Sequence, residues 1–192
     1  MLYVFDMGNV VIKGIDVLKP TVDLLGLDEE EFMRDYRFYD HPLMDGALTC
    51  DDYYKHLEHV FNVKVSGKPF SDLFKPFFNQ PMVDVIDYLH SKGRRVVCAS
   101  NTFKPHWDVI EKLGFDKVFD KCYLSHEIGM TKPSKAFFNY ILRCENAEPS
   151  DVFFTDDYKE NIDAASSMGI KTLWYVKGYD DSKLMKVFSQ AE

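Results

Sequence analysis

The apolar positions change period twice along the chain, and the changes divide it. The first run, Leu2-Tyr3-Val4-Phe5, is unbroken and ends at an acid, Asp6. An uninterrupted apolar run of that length predicts a strand buried on both faces. Gly8 and a second patch, Val10-Val11-Ile12, follow. From residue 14 to 80 the spacing turns helical. Val17, Leu18, Val22, Leu24 and Leu25 predict one amphipathic helix stopped at Gly26. Asp28 to Glu31 places carboxylates on the first turn of a second, where the helix dipole favours them. Thr49 with Asp52 three positions on predicts the capped start of a third. This block carries no strand signal.

After Pro81 strands and helices alternate. Helices are expected over 82–90, 106–113, 133–144 and 160–168. Strands are expected over 95–100, 121–125, 152–155 and 171–176. Alternation of this kind predicts an α/β fold with a doubly wound, Rossmann-like parallel sheet. The sequence therefore divides into an α/β core, 1–13 and 81–192, and a small inserted all-helical unit, 14–80. A length of 192 residues suits one domain with such an addition.

Composition narrows the class. Apolar residues make up 46% and aromatics 15%, which excludes a disordered chain. The net charge is −8, and residues 13–80 contribute −5 of it, with 13 acids against 8 bases. Such a surface repels nucleic acid and anionic membranes, so neither is expected as a partner. The four cysteines, Cys50, Cys98, Cys122 and Cys144, form no CxxC pair, which excludes a zinc ribbon or a disulfide framework. No basic–apolar–small leader pattern opens the sequence and no uncharged run approaches a membrane span. A reducing cytoplasm is the expected compartment.

Ligands of open parallel sheets bind beyond the carboxyl ends of the strands. Those ends carry Asp6, then Ser100-Asn101-Thr102, then Thr131-Lys132-Pro133, then Asp156-Asp157. Carboxylates from two strand ends can hold one Mg²⁺ through hard oxygen ligands. A carboxylate beside it can attack a phosphoryl group. The Ser100 hydroxyl and Lys132 ammonium can stabilise the equatorial oxygens. A small anion then fits one local site on a chain whose overall charge opposes anions.

Phe5-Asp6-Met7-Gly8-Asn9-Val10, Ala99-Ser100-Asn101-Thr102, Lys132-Pro133 and Phe154-Thr155-Asp156-Asp157 with Asn161 occur in that order. Together they resemble the four motifs of the haloacid dehalogenase-like superfamily, and the block at 14–80 resembles the helical cap that many members insert. The resemblance implies a phosphatase acting on a small phosphorylated metabolite, with Mg²⁺ as cofactor and an aspartyl-phosphate intermediate. It implies Asp6 as nucleophile and metal ligand, the Gly8 carbonyl as a second ligand, and Asp156 and Asp157 as the acidic pair, Asp157 binding the metal directly. Ser100, Asn101 and Lys132 would hold the phosphoryl group.

One position departs from the family pattern. Most of its phosphatases carry an acid/base Asp two residues after the nucleophile, and here that residue is Gly8. General acid–base help is worth about 10²–10⁴-fold. Three outcomes follow: a good leaving group, a substitute from the cap such as Asp16, or a silent phospho-ligand-binding member. The Asp-x-Gly-Asn form also resembles a subgroup with sugar-phosphate phosphatases for α-D-glucose 1-phosphate, which favours an active enzyme. A haloacid dehalogenase uses no metal, so the acidic pair argues against it. A phosphoacceptor receiver domain would place the acidic pair on the first strand. His56 and His59 are expected on an exposed polar face, and Trp107 and Trp174 are expected to pack.

Overall fold

The computed structural model describes residues 1–191. Its elements run β1 Leu2–Phe5, β2 Ile12–Lys13, α1 Leu18–Leu25, α2 Glu29–Met44, α3 Cys50–Phe61, α4 Pro69–Asp72 and β3 Phe77–Phe78. They continue through α5 Gln80–Ser91, β4 Arg95–Ser100, α6 Lys104–Leu113, β5 Lys121–Leu124, α7 Ser125–Ile128 and α8 Lys135–Glu145. The chain closes with β6 Val152–Asp156, α9 Lys159–Ser166, β7 Lys171–Trp174 and α10 Leu184–Gln190.

The main sheet has five parallel strands in the order β5-β4-β1-β6-β7. Alternate side chains of a strand point to opposite faces, and both faces here are covered. Tyr3, Phe5, Val96, Cys98 and Phe153 enter one apolar cluster, with α5, α6 and α10. Leu2, Val4, Val97, Ala99 and Phe154 enter the other, with α8 and α9. Burial on both sides is why these strands read as unbroken apolar runs. The strand order reverses at β1, so the crevice beyond its carboxyl end opens between β4 and β6.

Helices α1 to α4 stand between two crossings of the chain. Those crossings, β2 and β3, pair antiparallel through Ile12–Phe78 and Lys13–Phe77. The two-residue β3 corrects the expectation of a strand-free stretch up to residue 80; a pairing so short leaves no periodic signal. Asn79, which the sequence pattern did not single out, fixes this return. Its Nδ2 donates to Val10 O at 2.7 Å and to Tyr175 Oη at 2.9 Å.

The interior of the helical block is aromatic: Phe32, Tyr36, Tyr53 and Phe70 are buried. It is continuous with the apolar cluster on one face of the sheet, and Phe70 meets Phe103 with ring centroids 5.6 Å apart. The start of α2 follows expectation, with Asp28 accepting from the Glu31 amide. The same holds for α3, whose Thr49 accepts from the Asp52 amide. His56 differs from expectation. It is half-buried between α2 and α3, 2.7 Å from Asp35 Oδ1 and 3.2 Å from Tyr39 Oη, while His59 is exposed.

Pro133 does not open a helix. It lies before α8, whose N-cap is Ser134. Trp107 is buried, but Trp174 is largely exposed and anchored by its Nε1, which donates to Asp157 O. Among the described residues, no helix is long and apolar enough to cross a membrane.

Phe137 is fully buried on α8 and meets Phe138 edge-on. Replacing it by Ala is expected to lower unfolding stability by about 3–5 kcal/mol. Urea denaturation checks this, and a loss below about 1 kcal/mol would detach α8 from the core.

Candidate active site

The crevice at the carboxyl ends of β1, β4 and β6 gathers side chains from positions far apart in sequence. Asp6 follows β1, Ser100 ends β4 and Asp156 ends β6. Lys132 reaches in from the segment between α7 and α8. Its Nζ donates to Asp6 Oδ1 and to Asp156 Oδ2, each at 2.7 Å. The Lys132 and Asp156 side chains are 1% and 0% exposed, so this ion triad sits almost without water. Burial alone would lower the ammonium's pKa, but the two carboxylates outweigh it and hold Lys132 protonated.

The Asp6 carboxyl is balanced differently. Burial pushes it up to about 7, against the pull of the Lys132 charge, and Asp156 and Asp157 push in the same direction as burial. Three carboxylates this close raise one another's cost of ionisation. A cation among them would remove that cost.

Asp156 is fully engaged within the protein. The Asn161 Nδ2 donates to both its oxygens, at 3.0 and 3.1 Å, and the Tyr158 amide donates to Oδ1 at 2.8 Å. Asp157 is not. Asn9 donates to its Oδ2 at 3.1 Å, while its Oδ1 is buried and finds no partner on another residue. Burial and the Asp156 charge raise the Asp157 pKa. One oxygen each from Asp6, Asp156 and Asp157 fall within 4.8 Å of one another. An all-carboxylate set with one orphaned buried oxygen suits a hard divalent cation such as Mg²⁺.

Asn101 lines the crevice and also holds the backbone of Lys132. Its Nδ2 donates to Lys132 O and its Oδ1 accepts from Lys132 N, both at 2.8 Å. Through these two bonds the amide clamps the lysine's backbone, and the second Nδ2 hydrogen remains available in the crevice that Asn101 lines. Ser100 is buried and lines the crevice.

Gly8 also lines it, and the space beside Gly8 is filled. A Cβ there would lie 2.8 Å from Ile15 Cδ1. Asp16 is absent from the lining. It is exposed, accepts from the Leu18 amide two residues on, and so lies away from the cavity in which a substitute acid would act.

The cavity above Asp6 measures about 430 Å³. Beyond the motif residues it is lined by Asp40, His41 and Met44 of α2, by Ile15 and Phe74, by His106 and Ile110 of α6, and by Thr131, Tyr158 and Glu160. The α2 group was not legible in the sequence, since it lies on the inserted block with no motif around it. The last turn of α2 packs on α7. Just past the end of α2, Gly46, at φ +78°, passes so close to α7 that a Cβ would lie 2.5 Å from His126 O. His41 Nδ1 and Thr131 Oγ1 are 3.3 Å apart.

Comparison with known proteins places this geometry. A D-ribitol-5-phosphate phosphatase from Bacteroides thetaiotaomicron is 27% identical over 192 residues, covering 92% of this chain and 92% of that protein. A drimenol cyclase from Aspergillus calidoustus is 37% identical over 69% of this chain, which spans 26% of that protein. A haloacid dehalogenase-family enzyme from Bacteroides thetaiotaomicron, in complex with magnesium and inorganic phosphate, superposes with a TM-score of 0.80. It is 25% identical, over 95% of this chain and 98% of that one. The haloacid dehalogenase-like hydrolase family model matches residues 1–169. The chain belongs to the haloacid dehalogenase-like hydrolases.

Proposed function

We propose that this chain is a Mg²⁺-dependent phosphatase that hydrolyses phosphomonoesters of small molecules through an aspartyl-phosphate on Asp6. The observation that carries the reading is the buried Asp6–Lys132–Asp156 triad, with Asp157 Oδ1 left orphaned beside it. The phosphatase activity named for the ribitol-phosphate relative supports it.

Asp6, Asp157 and the Gly8 carbonyl would hold Mg²⁺, with Asp156 behind them. When bound, Mg²⁺ supplies a Lewis acid that draws charge from the phosphoryl oxygens. Asp6 attacks phosphorus in line, and the bond to the leaving oxygen breaks. Lys132 neutralises charge on the nucleophile's free oxygen and on the equatorial phosphoryl oxygens, and Ser100 donates to the latter. Asn101 positions Lys132 by gripping its backbone. Water then attacks the aspartyl-phosphate and returns Asp6 to its carboxylate.

Residues 14–80 act as a cap over the core, 1–13 and 81–192, in this reading. Water exclusion over the crevice strengthens every charge interaction inside it. Within the small phosphorylated metabolites, sugar and polyol phosphates are the class the Asp-x-Gly-Asn resemblance and the ribitol-phosphate relative favour. Gly8 sustains a second reading, a phospho-ligand binder without turnover, and the same assay separates the two.

Purified protein assayed against a panel of phosphomonoesters should release phosphate with Mg²⁺ and lose that release in EDTA, regaining it when Mg²⁺ is restored. Asp6→Asn should cost at least about 10³-fold. No release from any ester, with Mg²⁺ binding intact by calorimetry, would favour the silent binder. Asn101→Ala should lower kcat by about 10²-fold by misplacing Lys132, with KM changed far less. A loss confined to KM would instead make Asn101 a ligand contact.

A further inference from the structure

The proposed phosphatase lacks a proton donor at position 8, and Ile15 fills the space where one would begin. A leaving alkoxide needs a proton, so another group facing the cavity must supply it or poor leaving groups go unhydrolysed. The titratable side chains that line the cavity outside the triad and Asp157 are Asp40, His41, His106, Tyr158 and Glu160.

Four of them are poorly suited. The His106 ring is packed between Phe74 and Phe103, each 4.1 Å away between centroids. Its Nε2 is covered, and burial pushes its pKa down to about 4. Asp40 is the hydrogen-bond partner of the buried Tyr36 hydroxyl. Glu160 is exposed on the first turn of α9, and among the described residues none holds its side chain toward the cavity. Burial and the carboxylates around Tyr158 raise its pKa, which makes it a poor base for the return step.

His41 meets the requirement. Imidazole both gives and takes a proton near neutrality. The ring is held by one contact and its helix by another. Helix α2 packs on α7, with Gly46 just past its end in close approach to His126 O, and Nδ1 meets Thr131 Oγ1 at 3.3 Å. Thr131 directly precedes Lys132, so the ring is tied to the segment that delivers the phosphoryl-binding ammonium. That contact uses Nδ1 and leaves Nε2 for the substrate.

We propose that His41, on the inserted block, is the acid/base residue of this site, replacing a group at position 8. The inference rests on the phosphatase reading above. In the first step Asp6 bonds to phosphorus, the ester P–O bond breaks, and the leaving oxygen takes the proton from His41 Nε2. In the second, a water oxygen bonds to phosphorus, the bond to Asp6 breaks, and His41 takes the water's proton. The sum is ester plus water giving alcohol plus phosphate, with His41 returned to its starting form.

Leaving-group dependence tests this. Acetyl phosphate expels an anion that needs no proton, whereas glycerol phosphate expels an alkoxide that does. The ratio kcat/KM reports steps through phosphoryl transfer to Asp6. His41→Gln should lose about 10²-fold or more in kcat/KM on glycerol phosphate and less than about threefold on acetyl phosphate. Aspartyl-phosphate should accumulate in the variant during acetyl phosphate turnover, because water attack has lost its base. Asp16→Asn should match the wild type on both substrates.

His41 is exposed, and an unchanged melting temperature confirms that the variant folds. An equal loss on both substrates, or none on glycerol phosphate, would overturn the proposal. So would a leaving-group-dependent loss in Glu160→Gln or Asp40→Asn with His41→Gln unaffected. A wild type that hydrolyses neither substrate, nor any other phosphomonoester, would overturn the phosphatase reading itself and this inference with it.

Discussion

The buried ammonium of Lys132 is the constraint on which the rest of this molecule turns. A charge taken out of water costs several kcal/mol unless it is paired, and here one lysine is shared by two carboxylates at 2.7 Å each. The pairing demands that the ends of β1 and β6 and the segment before α8 meet at one point. The parallel register of β1 with β6, from Leu2–Val152 to Phe5–Thr155, brings Asp6 and Asp156 to the same height. Asn101 fixes the lysine's backbone from the neighbouring strand, and Asn161 fixes Asp156. Each of these polar groups is satisfied by another, so the site is built as one network.

The network leaves an excess of negative charge that the protein does not resolve by itself. Asp6 is driven up to about 7 chiefly by burial, and Asp157 keeps one oxygen without a partner. A folded chain tolerates such a cluster at a functional site, where the missing charge arrives with a ligand. The helical block bears on the same point. Its aromatic interior runs without a break into one face of the sheet, so the wall above Asp6 is held by core packing as well as by the β2–β3 crossing.

Much of the frame was legible in the sequence because its physical causes are local. The apolar run before Asp6, the strand at 95–100 and the helix starts at Asp28 and Thr49 follow from burial pattern and capping within a few residues. The residues that escaped were placed by contacts distant in sequence. Asn79 matters because Val10 and Tyr175 come to it from 69 and 96 positions away. Asn101 was expected at the phosphoryl group, and nothing in the sequence signals that its amide also grips Lys132. Asp16 looked like a spare acid, yet it lies outside the cavity and accepts from the Leu18 amide. His56 looked exposed, yet α2 covers it through Asp35 and Tyr39.

The sequence by itself determined the doubly wound sheet and the family, because periodicity and motif order survive without coordinates. It also showed the vacancy at Gly8. Only the tertiary structure decided what surrounds that vacancy. Ile15 closes it, and the last turn of α2 brings Asp40 and His41 to the cavity from a segment with no motif. The reason is physical: the position of α2 over the sheet is set by packing at Gly46 and by the shared aromatic cluster. Neither has a local signature in the chain.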